Sequence, residues 1–161
     1  MKGREMPDRQ EYVFSSHSAE ETIALGREIS RLLIPPKVII LRGDLGAGKT
    51  TLVKGIAAAL GAAEPEEVTS PTFTLIHEYA GRSVEHENLG AAVLLYHLDL
   101  YRIEVQRQLD TLGIEELITP QSLVLIEWGE KFPSVIAKSD GEIVMESLRG
   151  DERRITLRLR G

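Results

Sequence analysis

The sequence predicts an α/β fold: one domain with a mixed central sheet, flanking helices and a C-terminal β-hairpin. Three observations support this prediction. The chain holds several short, fully apolar runs typical of buried strands, a glycine-rich loop that follows the first of them, and an apolar helical stripe directly after that loop. The length of 161 residues suits one compact domain over residues 1–161, of which residues 1–10 are expected to be a flexible tail.

The first half of the chain predicts helix, strand and helix in turn. Ser18 and Glu21 form a capping box that starts the first helix, and the double proline at 35–36 ends it. The run VIIL (38–41) is short, β-branched and apolar, as in a strand covered on both faces. A second helix follows the glycine loop and ends near Gly61. Its apolar stripe consists of Leu52, Val53, Ile56 and Leu60.

The second half predicts strands joined by loops and short helices. The segments TFTLIHEY (72–79) and AVLLYHLD (92–99) are expected to pair antiparallel across the polar loop between them. The segment 104–118 is interpreted as short helical pieces broken at Gly113. SLVLIE (122–127) is another short apolar run and predicts a further buried strand.

The terminal hairpin is predicted from EIVMES (142–147) and RRITLRLR (153–160), in which apolar residues alternate with arginines. The arginines form either a solvated face of the hairpin or a docking surface for an acidic partner or RNA, and the sequence leaves both open. The C-terminal cluster comprises Arg149, Arg153, Arg154, Arg158 and Arg160.

Composition excludes several kinds of chemistry. The chain has no cysteine, which rules out disulfides, thiol catalysis and cysteine-ligated metals and is typical of a cytoplasmic protein. Its apolar runs are too short to span a bilayer and its N-terminal segment lacks the apolar core of a secretion signal, so we expect no membrane association. The net charge of -6 gives little attraction to nucleic acid, so if RNA is involved we expect a partner to hold it.

The loop GDLGAGKT (43–50) matches the P-loop pattern G-x-x-x-x-G-K-[ST] between a predicted strand and a predicted helix. The fold is therefore predicted to be a single P-loop NTPase domain. Glycines allow a phosphate chain to lie against bare backbone N–H groups, beside the positive end of the next helix. Lys49 adds a cation for the β- and γ-phosphates, Thr50 a hydroxyl for Mg²⁺, and Thr51 lies near the α-phosphate. The predicted nucleotide-binding residues are Gly43, Asp44, Leu45, Gly46, Ala47, Gly48, Lys49, Thr50 and Thr51.

Two carboxylates end apolar runs and are candidates for the metal and for the attacking water. Asp99 ends LLYHLD and Glu127 ends LVLIE, and ligands in such sheets gather at the carboxyl ends of strands. One carboxylate could anchor Mg²⁺ while the other orients water, but spacing does not assign the two roles. Thr72, in SPTFT, is a third candidate whose hydroxyl could sense the γ-phosphate.

ATP is the predicted nucleotide. The N-K-x-D motif that reads guanine is absent because the single asparagine, Asn88, lies in HENLG. The D-x-x-G match at residues 110–113 follows no apolar strand and is attributed to chance. Trp128 is interpreted either as a core residue or as a residue that shields the site or contacts a partner. His77, His86 and His97 lack zinc-ligand spacing and are interpreted as structural or surface residues.

Five motifs occur in order over roughly residues 12–135: GDLGAGKTTL, SPTFTLIHEY, LYHLDLYRI, LGIEEL and LVLIEWGEKFP. On these motifs the chain resembles the TsaE (YjeE) family of P-loop ATPases of tRNA threonylcarbamoyladenosine (t6A) biosynthesis. The resemblance implies slow, Mg²⁺-dependent ATP hydrolysis that resets a TsaD–TsaB complex. TsaD would carry out the transfer to tRNA, so this protein would have no transferase activity of its own and would meet tRNA only through the complex.

The resemblance also implies roles for individual residues. Asp99 becomes the Mg²⁺ anchor, and Glu127 becomes the organiser of water or metal. The implied catalytic residues are Lys49, Asp99 and Glu127, and the implied metal-site residues are Thr50, Thr72, Asp99 and Glu127. Trp128 carries over as the second residue of the family's EW pair.

Two other functions are compatible with the motifs. A small-molecule P-loop kinase would use an arginine-bearing lid, for which LYRIEVQRQ supplies Arg102 and Arg107. A nucleotide-dependent binding module would use ATP as a switch, with hydrolysis incidental to its function.

Overall fold

The structure is a computed structural model that describes residues 10–44, 46–83 and 89–160. In these ranges a seven-stranded mixed sheet runs in the order β1-β7-β6-β2-β5-β4-β3. Strand β2 pairs parallel with both β5 and β6, and β4 pairs parallel with β5, while the remaining pairs are antiparallel. The strands are β1 (Gln10–Ser16), β2 (Lys37–Gly43), β3 (Ile76–Arg82), β4 (Ala92–Asp99), β5 (Ser122–Glu127), β6 (Gly141–Ser147) and β7 (Arg153–Leu159).

Helices cover both faces of the sheet, which confirms the predicted α/β fold with flanking helices. Side chains of the two longest helices, α1 and α2, form one buried cluster with the sheet, and side chains of the three short helices form a second cluster on the opposite face. A Cβ at Gly26 in α1 would overlap the backbone of Gly55 in α2, so these glycines let the helices pack closely. The helices are α1 (Ala19–Leu32), α2 (Lys49–Ala59), α3 (Gln106–Asp110), α4 (Ile114–Leu117) and α5 (Pro133–Lys138).

The start of α1 differs from the predicted capping box in one contact. The Ser18 hydroxyl accepts the Glu21 N–H at 3.0 Å, as expected. The Glu21 carboxylate, however, accepts the N–H of His17 at 2.6 Å, one residue before the cap. The carboxylate therefore ties down the incoming chain rather than the cap residue itself.

The predicted strand 72–79 begins later than expected. Residues 72–74 form a turn that is closed by the Leu75 N–H donating to the Pro71 carbonyl at 2.6 Å. Leu75 has a φ of 73°, which no strand can accommodate, so β3 starts at Ile76. From there β3 pairs antiparallel with β4, as predicted.

Strand β1 was not predicted. It begins at Gln10, the last residue of the expected tail, whereas residues 1–9 lie outside the described residues. Tyr12 and Phe14 pack against the core cluster under α1 and α2, and β1 pairs with β7 along its length. The C-terminal segment is therefore an interior strand of the sheet.

Two of the five arginines of the C-terminal cluster form cross-strand ion pairs. Arg154 contacts Glu146 at 2.9 Å, and Arg158 contacts Glu11 at 2.7 Å and Glu142 at 3.0 Å. These contacts favour the interpretation of a solvated hairpin face. No helix in the described ranges is long and apolar enough to cross a membrane.

Candidate nucleotide-binding site

Parallel pairing of β2, β5 and β4 brings three strand ends to one edge of the sheet. Leu41 of β2 is in register with Glu127 of β5, which is in register with Asp99 of β4. Both carboxyl groups are buried, with Asp99 3% and Glu127 5% exposed. Two carboxyl groups are thus held side by side next to the loop that leaves β2.

The glycine loop connects β2 to α2 through backbone conformations that suit glycine. Gly46 has a φ of 82° and Gly48 a φ of 100°, both in the left-handed region. A Cβ at Gly43 would come within 2.8 Å of the Met145 carbonyl oxygen. Helix α2 begins at Lys49, and the first N–H groups of a helix have no acceptor inside it. Those groups lie where the loop meets the cleft.

A cleft of about 540 Å³ lies at this edge of the sheet. It brings together the predicted side chains of the metal and phosphate sites from four separate segments of the chain. Of the other predicted residues, Gly43, Asp44 and Ala47 shape the loop without lining the cleft, and Leu45 lies outside the described residues. The lining residues are Gly46, Gly48, Lys49, Thr50, Thr51, Ser70, Thr72, Asp99, Tyr101, Glu127 and Trp128.

Lys49 is the buried cation of the cleft. Its Nζ donates to the Gly43 carbonyl at 2.7 Å and lies 3.7 Å from Glu127 Oε1. The ammonium also lies 4.9 Å from the centre of the Trp128 ring, within cation–π range. A lysine that is 7% exposed is therefore balanced by a carboxylate, a carbonyl and an aromatic face.

Trp128 forms a wall of the cleft. It has a φ of 64°, which turns the chain sharply after β5. Its ring lies 5.3 Å from that of Tyr101 and also packs partly against the core cluster beneath. The structure thus unites two of the alternatives left open by the sequence, because Trp128 borders both core and cleft.

Asp99 and Thr72 form a polar group beside the glycine loop. The Thr72 hydroxyl donates to Asp99 Oδ2 at 3.0 Å and lies 2.8 Å from the Ser70 hydroxyl. Asp99 Oδ1 accepts the Tyr101 N–H at 2.9 Å. The turn that carries Thr72 is therefore bonded directly to the strand end that carries the carboxylate.

The donor set of the cleft fits magnesium. Thr50, Thr72 and Asp99 offer hydroxyl and carboxylate oxygens, the ligands that Mg²⁺ prefers. No group of three or more His, Cys, Asp or Glu side chains that could hold a metal occurs in the described part of the chain. Mg²⁺ is commonly held by one or two carboxylates together with water and phosphate oxygens, and the cleft offers the carboxylates of Asp99 and Glu127.

Sequence reasoning missed two contacts to the site. Arg153, at the start of β7, donates from Nε to the Ala47 carbonyl at 3.1 Å and from Nη2 to the Gly46 carbonyl at 3.4 Å. His97 is fully buried and lies 2.7 Å from Glu127 Oε2, so it is not a surface residue. His77 contacts Thr74, as a structural residue would, and His86 lies outside the described residues.

The glycine loop between a central parallel strand and a helix, with Lys49 and Thr50 at the helix start, defines the P-loop class of nucleotide-binding folds. Within this class the chain belongs to the TsaE family. The family described as "Threonylcarbamoyl adenosine biosynthesis protein TsaE" matches residues 16–155. The resemblance inferred from the motifs is thereby confirmed, and the match extends into the terminal hairpin, which carries no motif.

Individual relatives agree with the family. The tRNA threonylcarbamoyladenosine biosynthesis protein TsaE of Treponema pallidum (strain Nichols) is 37% identical over 142 residues, which cover 88% of this chain and 96% of that protein. The TsaE of Bacillus subtilis (strain 168) is 39% identical over 137 residues, 85% of this chain and 78% of that protein. The crystal structure of YdiB from Bacillus subtilis matches with a TM-score of 0.66 at 31% identity, covering 95% of this chain and 88% of that one.

Proposed function

We propose that this protein is a Mg²⁺-dependent ATPase that supports t6A modification of tRNA. It acts in the cytoplasm on a TsaD–TsaB complex, which it resets by ATP hydrolysis, and it has no transferase activity of its own. The observation that carries the proposal is the cleft in which Lys49, Thr50, Thr72, Asp99 and Glu127 meet beside the glycine loop. Membership of the TsaE family supports the place in tRNA modification.

The glycine loop and the start of α2 are assigned to the triphosphate. Backbone N–H groups at the N-terminus of a helix favour an anion, and Lys49 lies within the same cleft. Its ammonium now contacts Gly43 and Glu127, so a phosphate oxygen would replace or join oxygen partners that are already present. The Thr51 side chain lines the cleft beside it.

The magnesium site is assigned to Thr50 and Asp99, with Thr72 and Glu127 close by. When bound, Mg²⁺ supplies positive charge that offsets the negative charge of the β- and γ-phosphates. Thr72 already shares a hydrogen bond with Asp99, so the turn that carries it is coupled to the metal site. This contact also supports the second candidate, a nucleotide-dependent switch, because a turn bonded to the site can report nucleotide state.

Glu127 is assigned to the attacking water. Its buried carboxylate can orient the water and accept its proton as the oxygen attacks the γ-phosphorus and the bond to the bridging β–γ oxygen breaks. Burial and two neighbouring donors fix its position, since Lys49 lies near Oε1 and His97 near Oε2. Asp99 is assigned to the metal because its Oδ2 accepts from the Thr72 hydroxyl, which places a carboxylate and a hydroxyl oxygen together in the cleft.

Exposed apolar side chains near the cleft support the proposal that ATP hydrolysis depends on a protein partner. Phe73, next to Thr72, is 79% exposed, and the Arg102 guanidinium lies 4.9 Å from the centre of its ring. Tyr101, which lines the cleft, is also exposed. Exposed apolar side chains grouped near a site are typical of protein contacts. Arg102 lies over Phe73 and outside the cleft lining, which gives no support to an arginine-bearing kinase lid.

The direct test compares ATP hydrolysis by the full chain alone and with the TsaD–TsaB complex. We expect the complex to raise the rate about tenfold or more, which is within the usual range of coupling between two sites. A complex reconstituted with Lys49→Met controls for ATPase activity from the partners. Equal rates with and without the complex would contradict partner dependence, and phosphoryl transfer to a metabolite faster than hydrolysis would indicate a kinase.

Arg153→Met is expected to weaken ATP binding about tenfold while changing the maximal rate little. Two hydrogen bonds from the guanidinium hold the loop carbonyls of Ala47 and Gly46. The net loss of one hydrogen bond from a charged group lowers an affinity by about tenfold. Trp128 is the single tryptophan of the chain and lies in the cleft, so its fluorescence measures binding.

The matched control for this prediction is Arg154→Met. The neighbouring arginine contacts Glu146 across the hairpin and does not line the cleft. ATP affinity should be unchanged in the control. If both variants bind ATP equally well, the contact of Arg153 with the loop does not matter for binding.

A further inference from the structure

A histidine is buried directly behind the carboxylate assigned to the attacking water. His97 is 0% exposed and lies in β4, and its Nε2 is 2.7 Å from Glu127 Oε2. With Glu127 as a carboxylate, the histidine tautomer that carries its proton on Nε2 makes Nε2 the donor in this bond. The second carboxylate oxygen, Oε1, lies toward Lys49 at 3.7 Å. The two oxygens of Glu127 therefore face different partners.

The two ring nitrogens of His97 differ in their surroundings. Nδ1 is buried and has no hydrogen-bond partner among the described residues. A buried polar atom without a partner lowers the stability of the fold. The residue paired with His97 on the neighbouring strand is the apolar Leu125, so an apolar side chain would suit the position of His97 as well. The contact with Glu127 is the compensation that the structure provides for this cost.

The bond also matters more once nucleotide is bound. Lys49 is assigned to the phosphates and would then share its ammonium between them and Glu127. The hydrogen bond from His97 would remain as the contact that holds the carboxylate from behind. A glutamate side chain has three rotatable bonds, and a small error in the position of a catalytic group lowers the rate steeply.

We propose that His97 is a positioning residue: its Nε2–H holds Glu127 Oε2 so that Oε1 points into the cleft toward the attacking water. This inference rests on the proposed function, because it takes Glu127 as the group that acts on water. His97 does not touch the substrate in this arrangement and acts only through Glu127.

The test compares His97→Gln with His97→Asn in the full chain with the TsaD–TsaB complex. A glutamine amide nitrogen reaches about as far as Nε2, whereas an asparagine stops near the position of Nδ1, and both are polar amides of similar burial cost. We expect kcat to fall about tenfold or more in His97→Asn and to be largely retained in His97→Gln. ATP affinity, measured from Trp128 fluorescence, should stay close to wild type in both.

His77→Gln is the matched control, since His77 is the register partner of His97 but contacts Thr74 and Tyr79 rather than Glu127. Equal kcat values in His97→Asn and His97→Gln would overturn the proposal, as would a loss confined to ATP affinity. A second measurement, by NMR, detects the His97 Nε2 proton directly and does not depend on whether the His97 variants fold. A slowly exchanging His97 Nε2 proton should be visible by NMR and should shift or vanish in Glu127→Ala, and a signal that Glu127→Ala leaves unchanged would also overturn the proposal.

The two proposals fail in different ways. If wild-type protein with its partners does not hydrolyse ATP, the proposed function fails whatever the His97 variants do. If wild type hydrolyses ATP and Glu127→Gln does not, but His97→Asn matches His97→Gln, only the positioning role is wrong.

Discussion

Lys49→Met is expected to weaken ATP binding about 10- to 100-fold and to lower hydrolysis at saturating ATP by a further factor of about 10²–10³. The ammonium is the buried cation of the cleft, and its charge would bear directly on the phosphates as negative charge develops during transfer. Methionine keeps the apolar stem against Trp128 while removing the charge. Trp128 fluorescence measures binding, and phosphate release measures turnover.

The same substitution should also lower the free energy of unfolding. Glu127 would lose the cation that lies 3.7 Å away and would remain buried with the hydrogen bond from His97. A buried carboxylate that has lost a neighbouring positive charge destabilises the fold. The double variant Lys49→Met with Glu127→Gln should recover part of this loss, because no charge is then left buried at that place.

The control for Lys49→Met lies on the same helix. Lys54 Nζ donates to the carbonyls of Pro65 and Val68, both at 2.8 Å, and does not line the cleft. Lys54→Met should therefore lower stability while leaving ATP affinity unchanged. ATP affinity in Lys49→Met within about threefold of wild type would mean that the glycine loop is not the phosphate site.

The sequence could predict those parts of the site that depend on patterns of consecutive residues. The glycine loop is a local pattern, and its position between an apolar run and a helical stripe restricts it to a strand–helix turn. Asp99 and Glu127 each end an apolar run, and parallel pairing places the ends of such strands together. The structure supplies the register that puts both carboxylates at the same level, which no single run contains.

The parts that sequence could not predict depend on long-range contacts or local strain. Arg153 contacts a loop residue that is 107 residues away in the chain. The alternation of apolar and polar residues in β7 does not distinguish Arg153 from the other arginines of the strand. Leu75 adopts a left-handed conformation that is costly for leucine, so the propensity of its segment favoured a strand where a turn lies. His97 lies inside an apolar run, where a histidine without metal-ligand spacing gives no sign of its carboxylate partner.

Glu127→Gln is expected to lower ATP hydrolysis about 10²–10³-fold with ATP affinity unchanged or improved. Glutamine keeps the shape and can still accept the His97 N–H, but it cannot take a proton from the attacking water. Removing a negative charge next to the triphosphate should not weaken binding. Glu130→Gln, three residues further on and outside the cleft lining, should retain normal turnover and serves as the control.

Glu127→Gln also distinguishes an ATPase that resets the TsaD–TsaB complex by hydrolysis from a switch that acts through ATP binding alone. If hydrolysis resets the TsaD–TsaB complex, Glu127→Gln should bind ATP, hold the complex in its ATP-bound state and support one round of t6A formation but not repeated rounds. If ATP binding alone is the signal, t6A should accumulate at the wild-type rate although turnover is lost. The two outcomes differ because only the reset requires the γ-phosphate to leave. We assign that step to Glu127, which lies between Lys49 and His97. Counting t6A formed per complex in a reconstituted reaction decides between them.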